Sequence, residues 1–275
     1  MPPRATLIVL GVLFGAFACR GAEAPAQTPL ATAPPAATSP AASQHPELLK
    51  AKVLATFPHD PKAFTQGLVW YAGKLYESTG QYGSSSLREV APKTGEVLRY
   101  LPLEPRYFGE GLALAGDRLI QLTWQEGTAF AYSRDGFAPR GTFGYSGEGW
   151  GLCYDGQRLV MSDGSDRLTF RDAQTFAPQG GVNVTLEGKP LLDLNELECV
   201  DGAVYANLWR RDEIVRLDPA SGRVTAVVAA AGLLADADRP GTDVLNGIAY
   251  EPETKTFLIT GKLWPKLFEV VFVPR

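Results

Sequence analysis

The sequence predicts an all-β fold, a five-bladed β-propeller in which an N-terminal strand completes the last blade. Three observations lead there. Similar segments recur: F-T-Q-G-L-V-W from Phe64, F-G-E-G-L-A-L from Phe108, E-G-W-G-L-C-Y from Glu148, L-N-E-L-E-C-V from Leu194 and V-L-N-G-I-A-Y from Val244. With Gly67, Gly111, Gly151, Leu197 and Gly247 taken as equivalent, the spacings are 44, 40, 46 and 50 residues, a propeller-blade period. Each unit also repeats a grammar of short strands and tight turns. Finally, the last unit supplies only three strands before the chain ends at Arg275, while an orphan strand precedes the first unit.

Residues 1–19 read as an export signal. Arg4 makes a short positive start, an apolar run extends from Ala5 to Ala18, and A-F-A-C offers small residues at a cleavage point. The run is too short for a comfortable membrane span of about 20 residues. Cleavage before Cys19 would leave a cysteine at the mature N-terminus, as in a bacterial lipoprotein. Ala16-Phe17-Ala18 equally suits ordinary secretory cleavage, so a cell-envelope or periplasmic lipoprotein and a secreted protein are the two expected locations. Residues 20–49 are rich in Ala, Pro, Thr, Ser and Gln, with too few large apolar side chains to offset chain entropy, and are expected to form a solvated tether. The propeller is then expected over 50–275.

Within it, K-V-L-A-T-F at 52–57 is the orphan strand, free to close the ring and remove an exposed edge. The turns Ala72-Gly73, Gly116-Asp117, Asp155-Gly156 and Asp201-Gly202 separate first strands from second strands such as K-L-Y-E-S, R-L-I-Q-L, R-L-V-M-S and A-V-Y-A-N. Asp-Gly between alternating apolar runs is a strong hairpin signal. Third strands follow as S-L-R-E-V, A-F-A-Y-S, R-L-T-F-R and E-I-V-R-L, each leading through a turn to a fourth. The one helix-like stretch, Val228–Ala237, is expected as an excursion between the fourth and fifth units.

Composition narrows the chemistry. A net charge of −4 gives no basic footprint, so nucleic acid is not an expected partner. Only two histidines are present, His45 and His59, both early in the chain, which excludes a multi-histidine zinc site and a histidine base from the later chain. Tryptophan, by contrast, occurs five times. In a propeller the inner strand of each blade starts, and the second strand ends, at the same face of the disc. Phe64, Gln66, Glu110, Trp150, Asn195 and Glu196 should therefore meet Trp124, Trp209, Lys262 and Trp264 around one mouth. An apolar pocket with a few convergent polar groups is the default ligand site, although any single tryptophan is as readily explained as packing between sheets.

These residues resemble a known family, the plant-type glutaminyl-peptide cyclotransferases, which are five-bladed propellers with bacterial members. The resemblance spans about residues 50–275. It rests on F-T-Q-G-L, Y-E-S-T-G-Q-Y-G-S-S-S-L-R from Tyr76, F-G-E-G-L, L-T-W at Leu122, E-G-W-G-L, S-D-G-S at Ser162, L-N-E-L-E, A-N-L-W at Ala206, L-N-G-I-A and T-G-K-L-W-P at Thr260. Ser78 departs from it, standing where the family commonly has glycine. The resemblance implies cyclisation of an N-terminal glutamine to pyroglutamate with release of ammonia, acting on peptides or proteins and needing no cofactor; a monomer is expected. It implies Glu110 as acid/base and a substrate pocket of Phe64, Gln66, Trp124, Trp150, Asn195, Trp209 and Lys262. Chemistry assigns Lys262 and Asn195 to the developing oxyanion, Gln66 to substrate amides and the tryptophans to the glutamine methylenes.

Other readings stay beside this one. Glu196 and Glu198 are expected to pack on the inner strand, with room for a structural calcium. Cys153 and Cys199 occupy equivalent positions on neighbouring blades, where buried free thiols are slightly favoured over a disulfide. A non-catalytic propeller lipoprotein serving as an envelope scaffold is the functional alternative. A calcium-dependent propeller hydrolase is disfavoured because such sites want several inward carboxylates.

Overall fold

A computed structural model of the chain describes residues 45–275, with Gly11 and Gly15 ahead of them. The leader expected over 1–19, lipid attachment at Cys19 and most of the tether expected over 20–49 lie outside the described residues. No helix among the described residues is long and apolar enough to cross a membrane.

The first strand, β1 (Glu47–Pro58), stands alone in sequence. Blade 1 follows as β2 (Thr65–Tyr71), β3 (Lys74–Thr79), β4 (Ser86–Ala91) and β5 (Glu96–Pro102). Blade 2 is β6 (Gly109–Ala115), β7 (Arg118–Thr123), β8 (Thr128–Ser133) and β9 (Pro139–Gly144). Blade 3 is β10 (Leu152–Tyr154), β11 (Arg158–Met161), β12 (Arg167–Asp172) and β13 (Pro178–Asn183). A small hairpin, β14 (Thr185–Leu186) and β15 (Lys189–Pro190), precedes blade 4, which is β16 (Leu194–Val200), β17 (Ala203–Leu208), β18 (Glu213–Leu217) and β19 (Val224–Ala229). Blade 5 has β20 (Leu245–Glu251), β21 (Thr256–Gly261) and β22 (Lys266–Pro274). Within each blade, consecutive strands pair antiparallel. The inner strands β2, β6, β10, β16 and β20 neighbour one another in a closed cycle.

The expected exchange at the ring closure is present and longer than the sequence pattern indicated. Leu49 to Pro58 of β1 pair antiparallel with β22, supplying the fourth strand of blade 5. Its first residues, Glu47–Lys50, also pair in parallel with Ala226–Ala229 of β19, so blades 4 and 5 share one continuous sheet. Hairpin chemistry explains the tight connections. Ala72-Gly73 and Asp201-Gly202 both take positive φ at each central residue (49° and 79° in both cases), which matches the twist of the flanking strands.

Two features differ from expectation. Val228 and Ala229 complete β19 instead of starting a helix, because Val228 pairs with Ile214 and β-branched side chains suit that pleated surface. Beyond them, Gly232 turns at φ 81° and only Asp236–Asp238 winds, as a single 3-10 turn. The hairpin β14–β15 was not anticipated, since two residues per strand leave no periodic signal.

The apolar core is divided among the interfaces between blades. Leu68, Leu75 and Val90 of blade 1 pack against Ala249, Leu258 and Leu267 of blade 5. Tyr76 and Leu87 pack against Leu112 and Leu119 of blade 2. The remaining three interfaces are filled in the same manner. Near the axis the strands approach backbone to backbone. A Cβ on Gly67 would lie 2.5 Å from the Leu112 nitrogen, and one on Gly111 would lie 2.5 Å from the Leu152 nitrogen. Glycine at these positions is a packing requirement.

Candidate active site

The inner strands carry a shared irregularity that builds the site. In blade 1 the register shifts between Thr65↔Thr79 and Gly67↔Ser78, and the same shift occurs at Gly109/Leu112, Leu194/Leu197 and Leu245/Ile248. In each case two residues on the inner strand oppose one on its neighbour, a bulge, and bulges re-aim side chains. This register corrects the repeat alignment. Glu196, not Leu197, is the counterpart of Gly67, Gly111 and Gly247, because Leu197 pairs with Ala206 as Leu68 pairs with Glu77. The residues just before that position are Gln66, Glu110, Trp150, Asn195 and Asn246, one from each blade. A second ring comes from the residues after the second strands, including Trp124, Trp209 and Lys262.

These rings enclose a cavity of about 340 Å³, within the range of small-molecule sites. Its lining contains all eight residues assigned from sequence: Phe64, Gln66, Glu110, Trp124, Trp150, Asn195, Trp209 and Lys262. Phe108 and the exposed Asp243 complete it. The aromatic walls brace one another edge to face. Phe108 meets Phe64, Tyr82 and Trp124 at centroid distances of 5.9, 5.4 and 5.6 Å, and Trp150 meets Trp209 at 5.5 Å.

Glu110 is 4% exposed. Gln66 Nε2 donates to its Oε1 at 2.8 Å, and Gln66 Oε1 in turn accepts from Asn246 Nδ2 at 3.1 Å. Asn246 Nδ2 also donates to the Thr65 carbonyl at 2.9 Å, which fixes the orientation of both amides. Burial pushes the Glu110 carboxyl well above the ordinary carboxylate range. Lys262 opposes this, while the charges of Glu148 and Glu126 add to it. Lys262 is 5% exposed and its ammonium lies 4.9 Å from the Phe64 ring centroid. The ammonium makes no hydrogen bond or ion pair within the described residues. Burial lowers its pKa, against the raising effects of Glu110 and Asp243. A carboxyl that readily holds a proton thus shares a small cavity with an unpaired ammonium, a combination suited to moving protons and stabilising a new negative charge.

Several sequence candidates sit elsewhere. Trp264 is 3% exposed in the blade 4–blade 5 core, its Nε1 donating to the Asp243 carbonyl at 2.8 Å. Leu263 adopts φ 60° and folds the indole back over Gly261, so Trp264 packs beneath the mouth that Lys262 faces. Glu196 lies in the axial channel and accepts the backbone N–H groups of Leu68 (3.2 Å) and Ile248 (2.8 Å). Glu198 accepts that of Tyr250 at 2.8 Å, and burial pushes its carboxyl up to about 8. No group of three or more His, Cys, Asp or Glu side chains among the described residues is arranged to hold a metal ion. Cys153 and Cys199 form a disulfide, with Cα atoms 5.5 Å apart. The preference for free thiols is overturned because β10 and β16 approach closely near the axis.

Sequence reasoning assigned no role to Phe108, Asp243, Glu148 or Asn246. The repeat carried a signal for two of them: Phe108 is the counterpart of Phe64, and Asn246 that of Gln66. Ser78, the departure from the family pattern, donates its hydroxyl to the Glu110 carbonyl and accepts from Gln121 Nε2 at 2.7 Å.

Comparison with known proteins points to one family. A family model described as glutamine cyclotransferase matches residues 26–272. A curated glutaminyl-peptide cyclotransferase from Arabidopsis thaliana is 42% identical over 226 residues, covering 80% of this chain and 70% of that relative. The crystal structure of Myxococcus xanthus glutaminyl cyclase superimposes with a TM-score of 0.78 at 42% identity, covering 84% of this chain and all of that one.

Proposed function

This chain belongs to the glutamine cyclotransferase family, and we infer that it converts the N-terminal glutamine of peptides or proteins to pyroglutamate, releasing ammonia, with Glu110 as acid/base. The observation that carries the reading is Glu110 itself: a buried carboxyl held at one oxygen by Gln66, in a tryptophan-walled cavity with the Lys262 ammonium, which has no ion-pair partner among the described residues. Family membership does not favour the non-catalytic scaffold.

The chemistry is intramolecular, since the attacking α-amine and the carboxamide carbon belong to one residue. The protein must hold the attacking rotamer and move protons. An α-amine has a reference pKa of about 7.7–8.0, so it arrives mostly as ammonium. Glu110 takes one proton, a transfer made easier by its raised pKa. The freed amine attacks the side-chain carbonyl carbon, and the C=O electron pair moves to oxygen, where Lys262 and Asn195 stabilise it. Glu110 then delivers its proton to the departing nitrogen and accepts one from the ring nitrogen. Collapse re-forms the C=O bond, breaks the C–N bond and expels ammonia, which leaves as ammonium with the proton from Glu110. The tryptophans surround the methylenes and exclude water that would hydrolyse the amide.

No cofactor enters this sequence of steps, and one chain supplies every group, consistent with action as a monomer. The apolar run from Ala5 to Ala18 supports export of the protein, held by lipid at Cys19 or secreted.

Incubation of the full chain with a glutaminyl dipeptide, with and without a chelator, tests the function. Ammonia release with loss of one ammonia mass from the peptide, unchanged by chelator, is expected. Absence of release at every pH tried sinks it. A melting temperature that falls with chelator would reveal the structural calcium considered at Glu196 and Glu198.

A further inference from the structure

We propose that Glu148 is a positioning residue of this site: its carboxylate clamps the two tryptophan walls contributed by neighbouring blades and adds to the negative charge that Glu110 experiences. The proposal rests on the cyclotransferase reading for its substrate.

Glu148 stands at the repeat position that blades 1 and 2 fill with Phe64 and Phe108. There the side chain would be a third aromatic wall, and a carboxylate replaces it. One oxygen, Oε2, accepts from both Trp124 Nε1 at 2.8 Å and Trp150 Nε1 at 2.9 Å. The other accepts from Gln125 Nε2 at 3.0 Å. Trp124 follows β7 in blade 2 and Trp150 precedes β10 in blade 3, so one carboxylate spans the interface between two blades. Through the edge-to-face contact of Trp150 with Trp209, the tie extends to blade 4. Indole N–H groups have only one hydrogen to donate, and here both are taken by Glu148, which does not itself line the cavity that the two tryptophans wall. Glu148 makes no hydrogen bond to Glu110. Burial raises the Glu148 pKa, but hydrogen bonds from Trp150, Gln125 and Trp124 outweigh this, so the group stays ionised; its negative charge joins that of Glu126 in opposing ionisation of Glu110, while Lys262 favours it.

Two substitutions separate the two roles. Glu148→Gln keeps an oxygen acceptor for the indoles and removes the charge; Glu148→Ala removes both. For Glu148→Ala, KM should rise about tenfold, and tryptophan emission should shift to longer wavelength as the two indoles lose their partner. In Glu148→Gln, KM should stay within about twofold of wild type, while the acid limb of kcat/KM moves to lower pH because Glu110 ionises more easily. Wild-type emission and KM in Glu148→Ala, or an unmoved acid limb in Glu148→Gln, overturns the proposal. The emission shift is read without substrate, and a wild-type chain that releases no ammonia is a failure of the cyclotransferase reading instead.

Discussion

Glu110 has two oxygens, and within the described residues only Oε1 is engaged, by Gln66 at 2.8 Å. Oε2 is left for the substrate amine. Glu110→Gln preserves the shape and removes the proton acceptor, so kcat/KM should fall by about 10²–10⁴-fold, the usual worth of a positioned acid/base; ammonia release assayed beside a circular dichroism spectrum separates this from unfolding. The pH dependence follows from the direction of the shift. Because burial raises the Glu110 pKa, the acid limb of kcat/KM should lie well above the ordinary carboxylate value. Lys262 holds that pKa down, so Lys262→Met should move the limb further to alkaline pH, opposite to Glu148→Gln. It should also reduce kcat by about 10²–10³-fold through loss of oxyanion stabilisation. A limb that does not move in Lys262→Met would dissociate the two groups. Behind them, Asn246 orients Gln66. Asn246→Leu frees that amide to rotate and should lower kcat about tenfold with little change in KM, which initial-rate kinetics will show.

At the scale of strands, the inner-strand bulge is what turns a regular repeat into a site. Where Asp-Gly or Ala-Gly sits between alternating runs, the hairpins were legible, since the turn needs residues that tolerate positive φ. The register of blade 4 was not, because Glu196 replaces the repeat glycine, and matching leucine to glycine displaced Asn195 by one place. Asn195 was still placed at the mouth, because the strand starts there in either register. Trp264 was misplaced for a related reason: two residues from Lys262, it is reversed by a left-handed Leu263 that no hydrophobic pattern announces. The disulfide was illegible because it depends on how closely β10 and β16 approach. It links residues 46 apart near the ends of these strands away from Gln66 and Glu110. Replacing both cysteines by serine should cost roughly 2–4 kcal/mol, read as a lower urea midpoint, while kcat at 25 °C stays near wild type. A large loss of kcat in the folded variant would mean that the disulfide shapes the cavity after all.

For the whole molecule, the ring is only as closed as its seam, and the seam is polar. His59 follows β1 directly, and its backbone N–H donates to the Pro265 carbonyl at 2.9 Å. Its Nδ1 reaches the Trp264 carbonyl at 2.7 Å and its Nε2 reaches Glu77 Oε1 of blade 1 at 3.0 Å. Glu77 is held in turn by Thr65 Oγ1 at 2.7 Å, with Arg88 at 3.9 Å. One imidazole thus joins the closing strand, blade 5 and blade 1. Burial disfavours charge on both partners, yet the Glu77 charge and hydrogen bond win for His59, whose pKa is raised above 6.5. The His59 charge and hydrogen bond likewise bring Glu77 below 4.5. The stability contributed by His59 is therefore complete below pH 6.5 and is lost as pH climbs through its folded pKa. That of Glu77 is present above 4.5 and is lost as pH falls through its own lowered value. The pair contributes most between these limits. Removing His59 leaves a buried carboxylate without its main partner, and His59→Ala should cost about 3 kcal/mol. His59→Gln retains a donor without titrating, so the stability difference between wild type and His59→Gln isolates the charge. Measured by urea unfolding from about pH 5 to about pH 9, that difference should favour wild type at the acid end and decay toward the alkaline end. A difference that is flat with pH would show that the seam is held by hydrogen bonding alone, with the imidazole neutral throughout.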